Sequence, residues 1–354
     1  MIDQNNAAEI LAAVATRREA RRHFLKVAGS GTAAVGGLAL LSACGGGDDD
    51  SSPTPTPSAT VSPTPTSSTA TFDLDILNFA LNLEYLEAQF YTYAVTGAGL
   101  PTALTQGGGG AAPGTVTGGQ AVDFSGDPLV AAYAREIAAD EAQHVAFLRT
   151  VIGTSAVAMP NINISGDANG AFTAAAIAAG VITAGQTFNP YSSPEFFLLG
   201  AFIFEDVGVS AYKGAAPLIT SKDYLEAAAG ILAAEAYHAG LVRTVLYNKG
   251  IVTPALITNA NKISDARDSL DGTTGTGAER DQGITVNATA TYVGDANLVP
   301  ADGNGIAYSR TPSQVLNIVY LNTAAKTAGA SMGGFFPNGL NANLAAFKTS
   351  TANA

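Results

Sequence analysis

The sequence predicts an all-α protein: a four-helix bundle with a long crossover, a Gly-rich insert between its first two helices, and an irregular C-terminal extension containing one further helix. Three observations carry this expectation. Four segments between residues 73 and 250 place apolar side chains at helical spacing. Each segment begins or ends on a residue suited to a helix terminus. The two histidines of this stretch, His144 and His238, lie in matching contexts on what would be the second and fourth helices.

The first helix is expected over about Asp73 to Thr96, with Ile76, Leu77, Ala80, Leu83, Leu86 and Phe90 on its apolar stripe and Gly97 as its cap. The second starts at Asp127-Pro128, an N-cap followed by proline at the first helical position, and runs to Ile152 before Gly153. The third starts in the same way at Ser193-Pro194 and runs to Lys213 before Gly214. The fourth spans Ser221 to Lys249 before Gly250. Helices of this size are on the order of 30–45 Å long, which is bundle geometry. A short link makes the third and fourth antiparallel neighbours. The longer stretch between the second and third is the crossover, with an Ala-rich short helix expected within Ala171 to Ala184. The insert over 98–126 is long for a hairpin and is expected to cover one end of the bundle.

The flanks divide the rest of the chain. Ala20-Arg21-Arg22-His23-Phe24-Leu25-Lys26 resembles a twin-arginine export signal, and Leu41-Ser42-Ala43-Cys44 looks like a lipobox, in which the cysteine receives a lipid. The intervening run is too short and too glycine-rich for a stable membrane-spanning helix. Residues 1–44 are therefore read as signal, with Cys44 the expected lipid anchor. Residues 45–71, rich in Pro, Ser and Thr, are read as a semi-rigid linker, 72–250 as the four-helix domain and 251–354 as an extension packed on the bundle. Export by that route and attachment on the periplasmic side of the cell envelope follow. Cys44 is the sole cysteine, so intramolecular disulfides and thiolate metal sites are excluded. A net charge of −12 disfavours nucleic acid as a partner. In the extension, Thr311-Pro312-Ser313-Gln314 signals a capped helix, and Phe335 and Phe336 look like anchors of a turn-rich loop. The extension covers either bundle surface or a homodimer interface.

His144 and His238 are each preceded at three residues by a glutamate, Glu141 and Glu235. Three residues advance 300° around a helix, so carboxylate and imidazole project from one face, one turn apart. Two such helices can offer four ligands to metal ions. The other two helices each place a glutamate in an apolar stripe, Glu84 and Glu205, and burial of an unpaired carboxylate is costly without a cation or strong donor. Seven residues after each comes a tyrosine, Tyr91 and Tyr212, on nearly the same face, to be read either as a core aromatic or as a hydrogen-bond partner or electron donor at the site. Glu87, one turn after Glu84, is a further candidate ligand or a group bonded to one. Glu136, Asp140 and Asp206 point off the ligand faces and read as solvated; Arg149 and Arg243 read as helix C-terminal charges. HVAFLRTV from His144 and HAGLVRTV from His238 mark the two halves as a repeat.

This pattern is similar to the ferritin-like di-iron and di-manganese carboxylate proteins. More narrowly, LNLEYLEAQFY (81–91), the two Glu-x-x-His helices and FFPNGLN (335–341) resemble exported bacterial ferritin-like proteins related to plant desiccation-related proteins. The resemblance covers most of residues 73–345. It implies Glu84, Glu141, His144, Glu205, Glu235 and His238 as ligands of two iron ions, or of manganese, with dioxygen or peroxide as reaction partners. Three functions follow as expectations: oxidation of Fe(II) or removal of peroxide by a di-iron centre, a manganese catalase-like reaction, and a non-catalytic role in stress or desiccation through metal binding or structure.

Overall fold

The computed structural model describes residues 67–273, 279–289 and 292–354. The arginine pair, the lipobox with Cys44 and the linker up to residue 66 lie outside the described residues. The chain is built from α1 (Ser67–Thr96), α3 (Pro128–Ile152), α5 (Pro194–Ala215) and α6 (Lys222–Val252), the four long helices of the bundle. Shorter helices join or follow them: α2 (Thr102–Thr105), α4 (Ala171–Ala178), α7 (Pro254–Leu270) and α8 (Pro312–Val319). Among the described residues there are also two small sheets, parallel β1 (Val116–Thr117) with β2 (Ile162–Asn163) and antiparallel β3 (Thr285–Val286) with β4 (Asp295–Ala296). No helix among the described residues is long and apolar enough to cross a membrane.

The helix starts are fixed by side chains that take up free N–H groups of the first turn. Asp127 accepts from Val130, Ser193 from Phe196 and Ser221 from Tyr224, each through its side-chain oxygen. Thr311 and Gln314 form a reciprocal capping box at α8. Lys249, near the end of α6, reaches Asp127 at 2.6 Å and Glu195 at 2.7 Å. It thereby clamps the C-terminal end of α6 to the N-terminal ends of α3 and α5, and both neighbours run antiparallel to α6.

The ends differ from the sequence expectation in three places. α1 begins at Ser67, inside the stretch assigned to the linker. Gly97 and Gly153 do close their helices in left-handed backbone, with φ of 75° and 66°. Gly214 and Gly250 do not terminate theirs; they are glycines of close approach. A Cβ at Gly214 would fall 1.9 Å from the Arg310 carbonyl oxygen, and one at Gly250 would fall 2.3 Å from Ile257 Cγ1.

The extension also holds two helices where one was expected. α7 starts at Thr253-Pro254 and lays Leu256, Ile257, Ala260, Ile263, Ser264, Arg267 and Leu270 inward. Together α7 and α8 cover α5, which is buried along Phe197 to Tyr212 on all sides. The loop at 335–341 closes over α1 and the crossover. Phe335 packs edge-on against Phe172 and Phe204, and Asn82 and Asn341 exchange two hydrogen bonds. The insert folds back on the C-terminal part of α1, where Gln89 accepts from Leu100 N and the Val122 N–H bonds Ala94 O.

A buried ionic network fastens the extension to the bundle. Arg243 of α6 and Arg267 of α7 both meet Asp206 of α5 at 2.7 Å. Arg267 also meets Asp281, and Arg310 meets Asp281 and Asp271. All six side chains are buried. Asp206 and Arg243, expected on solvated or terminal positions, are therefore interior ion partners. Arg149 does stand in the last turn of α3, as expected of a terminal charge, and from there it also donates to the Tyr85 hydroxyl at 2.7 Å.

Candidate metal centre

The six residues offered by the four long helices converge in the middle of the bundle. Glu84 comes from α1, Glu141 and His144 from α3, Glu205 from α5, and Glu235 and His238 from α6. The four carboxylates are 0–1% exposed. Two groups of atoms lie within 4.8 Å of one another, one from Glu84, Glu141, His144 and Glu235, the other from Glu205, Glu235 and His238. His144 Nδ1 stands 3.2 Å from Glu84, 3.5 Å from Glu141 and 3.5 Å from Glu235. His238 Nδ1 stands 3.0 Å from Glu141 and 3.7 Å from Glu205. Glu141 and Glu235 thus lie between the two imidazoles, while Glu84 and Glu205 lie on opposite flanks.

Many of these atoms have no protein hydrogen bond. Both oxygens of Glu141, both of Glu235, Glu205 Oε2 and His238 Nδ1 are buried with no well-formed hydrogen bond, their nearest polar neighbours being each other across the ion-pair distances given above. An orphaned buried carboxylate is strongly unfavourable unless a cation completes it. Converging carboxylate oxygens and imidazole nitrogens form a donor set suited to iron, manganese or zinc. By the chemistry of its donors and their unmet valence, the site fits a metal.

The electrostatics agree with that need. Burial pushes the Glu84 carboxyl up to about 8, against the pull of His144. Burial also raises Glu205 and Glu235, and the neighbouring carboxylates add to it. At Glu141 burial acts in the same sense but is outweighed by His144 and His238, which hold it down to about 2. Burial disfavours both imidazoliums, yet Glu84 and its neighbours raise His144 far above the usual range. Asp140 and Glu141 carry His238 up to about 11. The imidazolium protons supply the positive charge in this arrangement, and a metal ion bound at Nδ1 would displace them.

The tyrosines act across the site. Tyr91 of α1 donates to Glu205 of α5, and Tyr212 of α5 donates to Glu84 of α1. Each phenol therefore serves the glutamate of the opposite half, two turns along an antiparallel neighbour. Position along one helix cannot reveal this, since it depends on how α1 and α5 pair. Both phenols are buried, and burial, followed by the glutamate each one faces, raises them well above their usual range.

The two halves superpose residue on residue in sequence: Glu84 on Glu205, Tyr91 on Tyr212, Glu141 on Glu235, His144 on His238 and Arg149 on Arg243. Even the arginine ties correspond, since Arg149 bonds the residue after Glu84 and Arg243 the residue after Glu205. Two of the differences between the halves fall beside the converging groups. Opposite Glu87 stands Gly208, whose missing side chain leaves room for two carboxylates. A Cβ there would lie 2.6 Å from Glu235 Oε2 and 3.5 Å from Glu87 Oε1. Glu87 is buried at 6% exposure, and burial followed by repulsion from Glu235 raises its carboxyl well above the usual range. It belongs to neither converging group. It borders a small apolar cavity of about 20 Å³ lined by Leu83, Leu86, Phe204, Val207 and Phe335, room for one water-sized molecule. The second difference sets Asp140 against Ala234. Asp140 was read as solvated. Its side chain is 37% exposed, yet its Oδ2 lies 3.4 Å from His238 Nε2.

Comparison with known proteins agrees with this architecture. The ferritin-like domain family pattern matches residues 72–248. The ferritin-like catalase Nec2 of Nesocodon mauritianus is 29% identical over 281 residues, covering 77% of this chain and 85% of that protein. The desiccation-related protein PCC13-62 of Craterostigma plantagineum is 30% identical over 254 residues, covering 69% of this chain and 76% of that one. No solved structure matches the chain significantly. With its bundle, its duplicated Glu-x-x-His helices and this match across the helical region, the chain belongs to the ferritin-like domain family.

Proposed function

We propose that the chain is a dinuclear metal enzyme that disproportionates hydrogen peroxide, held by a lipid on Cys44 at the periplasmic side of the cell envelope after twin-arginine export. The observation that carries the metal reading is the convergence of four buried carboxylates and two imidazoles, with Glu141 and Glu235 between the histidines and their oxygens without a well-formed hydrogen bond. Two divalent cations would neutralise four ionised glutamates. Glu84 and His144 would hold one, Glu205 and His238 the other, and Glu141 and Glu235 both. Iron and manganese each suit this nitrogen and oxygen set.

Burial of the centre argues for a small substrate. His144, at 12% side-chain exposure, is the most open of the six ligands. So enclosed a set of side chains suits peroxide better than a bulky organic substrate. Two peroxides become two waters and one dioxygen: one molecule takes up two electrons and two protons, and the other gives them up. Bound metal ions would supply the exchange of those electrons. The chain's part is to hold the ligands, exclude larger reductants and keep Glu84 and Glu205 oriented through Tyr212 and Tyr91. The catalase named among the relatives supports this reading. The desiccation-related relative supports a second, in which metal is bound without turnover.

Metal analysis and oxygen evolution separate them. The full chain, reconstituted with Mn(II) or Fe(II) and desalted, is expected to carry about two ions and to release one dioxygen per two peroxides consumed. Bound metal with no oxygen evolution would favour the non-catalytic reading. No bound metal with either ion would refute both.

A further inference from the structure

The duplication offers an internal comparison: a difference between the halves beside an imidazole gives one candidate metal position something that the other lacks. Behind His238 stands Asp140, its Oδ2 3.4 Å from Nε2, so the imidazole is held between a carboxylate on one nitrogen and the ligand space on the other. Behind His144 the equivalent residue is Ala234, which has no polar side chain. His144 Nδ1 faces Glu84, Glu141 and Glu235, and no hydrogen bond to its Nε2 occurs among the described residues. A carboxylate accepting the outer N–H of a ligating imidazole fixes the tautomer and ring orientation and makes the inner nitrogen more basic.

We infer that the two cation positions are unequal, that the position at Glu205 and His238 is the tighter, and that Asp140 makes it so. The inference rests on the dinuclear reading above. Asp140 is a positioning residue: its oxygen would not touch the metal or the substrate, and it acts through the His238 ring. Four residues converge at Glu84 and His144 against three at Glu205 and His238, but Glu141 also stands 3.0 Å from His238 Nδ1, and both flanking glutamates receive a tyrosine, so Asp140 is the difference that falls on an outer imidazole nitrogen. The asymmetry at Glu87 and Gly208 sits on the α1–α5 side, away from both outer imidazole nitrogens, and leaves the argument about Asp140 intact.

Co(II), which is spectroscopically visible and redox-stable in the absence of peroxide, is the probe. The metal-free full chain is titrated calorimetrically and by visible absorption. Two binding events of different affinity are expected, with His238→Ala removing the tighter and His144→Ala the weaker. Asp140→Ala should weaken the tighter event by about 10–100-fold and leave the other unchanged, as loss of such a partner does at other sites. Asp140→Asn, which keeps an acceptor, should recover part of that loss. Ala234→Asp should tighten the weaker event. Asp140 is partly exposed, so these variants are expected to keep the wild-type melting profile without metal. Two equal events, loss of the tighter event in His144→Ala, or an unchanged titration in Asp140→Ala would overturn the inference while leaving the dinuclear centre standing. No cobalt binding in the wild type would overturn the dinuclear reading, and this inference with it.

Discussion

Gly208→Ala separates stability from metal binding. In the interior of α5, alanine is favoured over glycine by about 0.5–1 kcal/mol. The backbone is helical, so the new methyl brings no dihedral strain. Its contacts are another matter: it would lie 2.6 Å from Glu235 Oε2 and 3.3 Å from Glu235 Cδ. An ordinary carbon–oxygen contact needs roughly 3.4 Å or more, so the carboxylate must withdraw by about 0.8 Å. The atom that meets the methyl is the end of a flexible side chain, and its retreat costs the fold little. Metal–ligand distances, however, tolerate only about 0.2 Å. The expected result is a melting temperature within about 3 °C of the wild type without metal, since about 1 kcal/mol moves a domain of this size by only a few degrees. Metal affinity should fall at least about 100-fold, more than the loss of an outer partner, because a ligand itself is displaced. Differential scanning calorimetry and metal titration on the same sample check both. Two metal ions bound at wild-type affinity would refute the assignment of Glu235 to the centre.

Three further outcomes follow from the geometry. Tyr212→Phe, and separately Tyr91→Phe, removes the donor to Glu84 or Glu205 and should destabilise the metal-free protein by about 1–3 kcal/mol, with a smaller loss once metal is bound; denaturant unfolding with and without metal reads the difference. The stability of the metal-free protein should fall as pH rises. Glu84, raised to about 8, contributes stability present below its unfolded value and lost on the way to 8, and His238, raised to about 11, contributes stability lost between neutral pH and 11. Glu141, depressed to about 2, works in the opposite sense only as pH drops toward 2, so unfolding series in chelator should show a maximum in mildly acidic solution; a maximum at alkaline pH would contradict these assignments. Arg310→Ala strips Asp281 and Asp271 of a buried partner and should cost about 3–5 kcal/mol in urea unfolding.

How far the sequence could be read depended on whether a residue's partner lay on its own helix. Glu141 with His144, and Glu235 with His238, share one face by their spacing, so both pairs were legible. So were Asp127, Ser193, Ser221 and Thr311, because a cap is a local event. Asp206 was misread, and the contact of the partly exposed Asp140 missed, for the complementary reason. Each is one residue from a ligand, 100° off its face, and would be solvated on a helix with no neighbour there. α6 supplies His238 to the first, and α6 and α7 supply arginines to the second. α7 itself escaped notice because its inward face carries Ser264 and Arg267, which interrupt the apolar period. The stops assigned to Gly214 and Gly250 failed because a glycine that admits a neighbouring chain looks, in sequence, like one that ends a helix.

The extension and the candidate metal centre are not independent parts. Asp206 follows Glu205 directly, and its carboxylate is held by Arg243 and Arg267, while Arg267 also donates to the Phe202 carbonyl one turn earlier on α5. Ser210, one turn later, accepts from Arg310 at both its backbone carbonyl and its hydroxyl. The helical turns on either side of Glu205 are thus fixed from outside by arginines, two of which belong to the extension. α1 has a lighter equivalent in Arg149 and Tyr85 within the bundle. Buried ion pairs add little net stability over apolar packing, but they tolerate few alternative arrangements. If Glu205 meets a cation, as proposed, it would gain more from that restriction than from stability, since such a contact tolerates only a few tenths of an ångström. This explains why the charged interior of the chain is concentrated around one ligand helix, and why α5 rather than α1 is enclosed by the added helices.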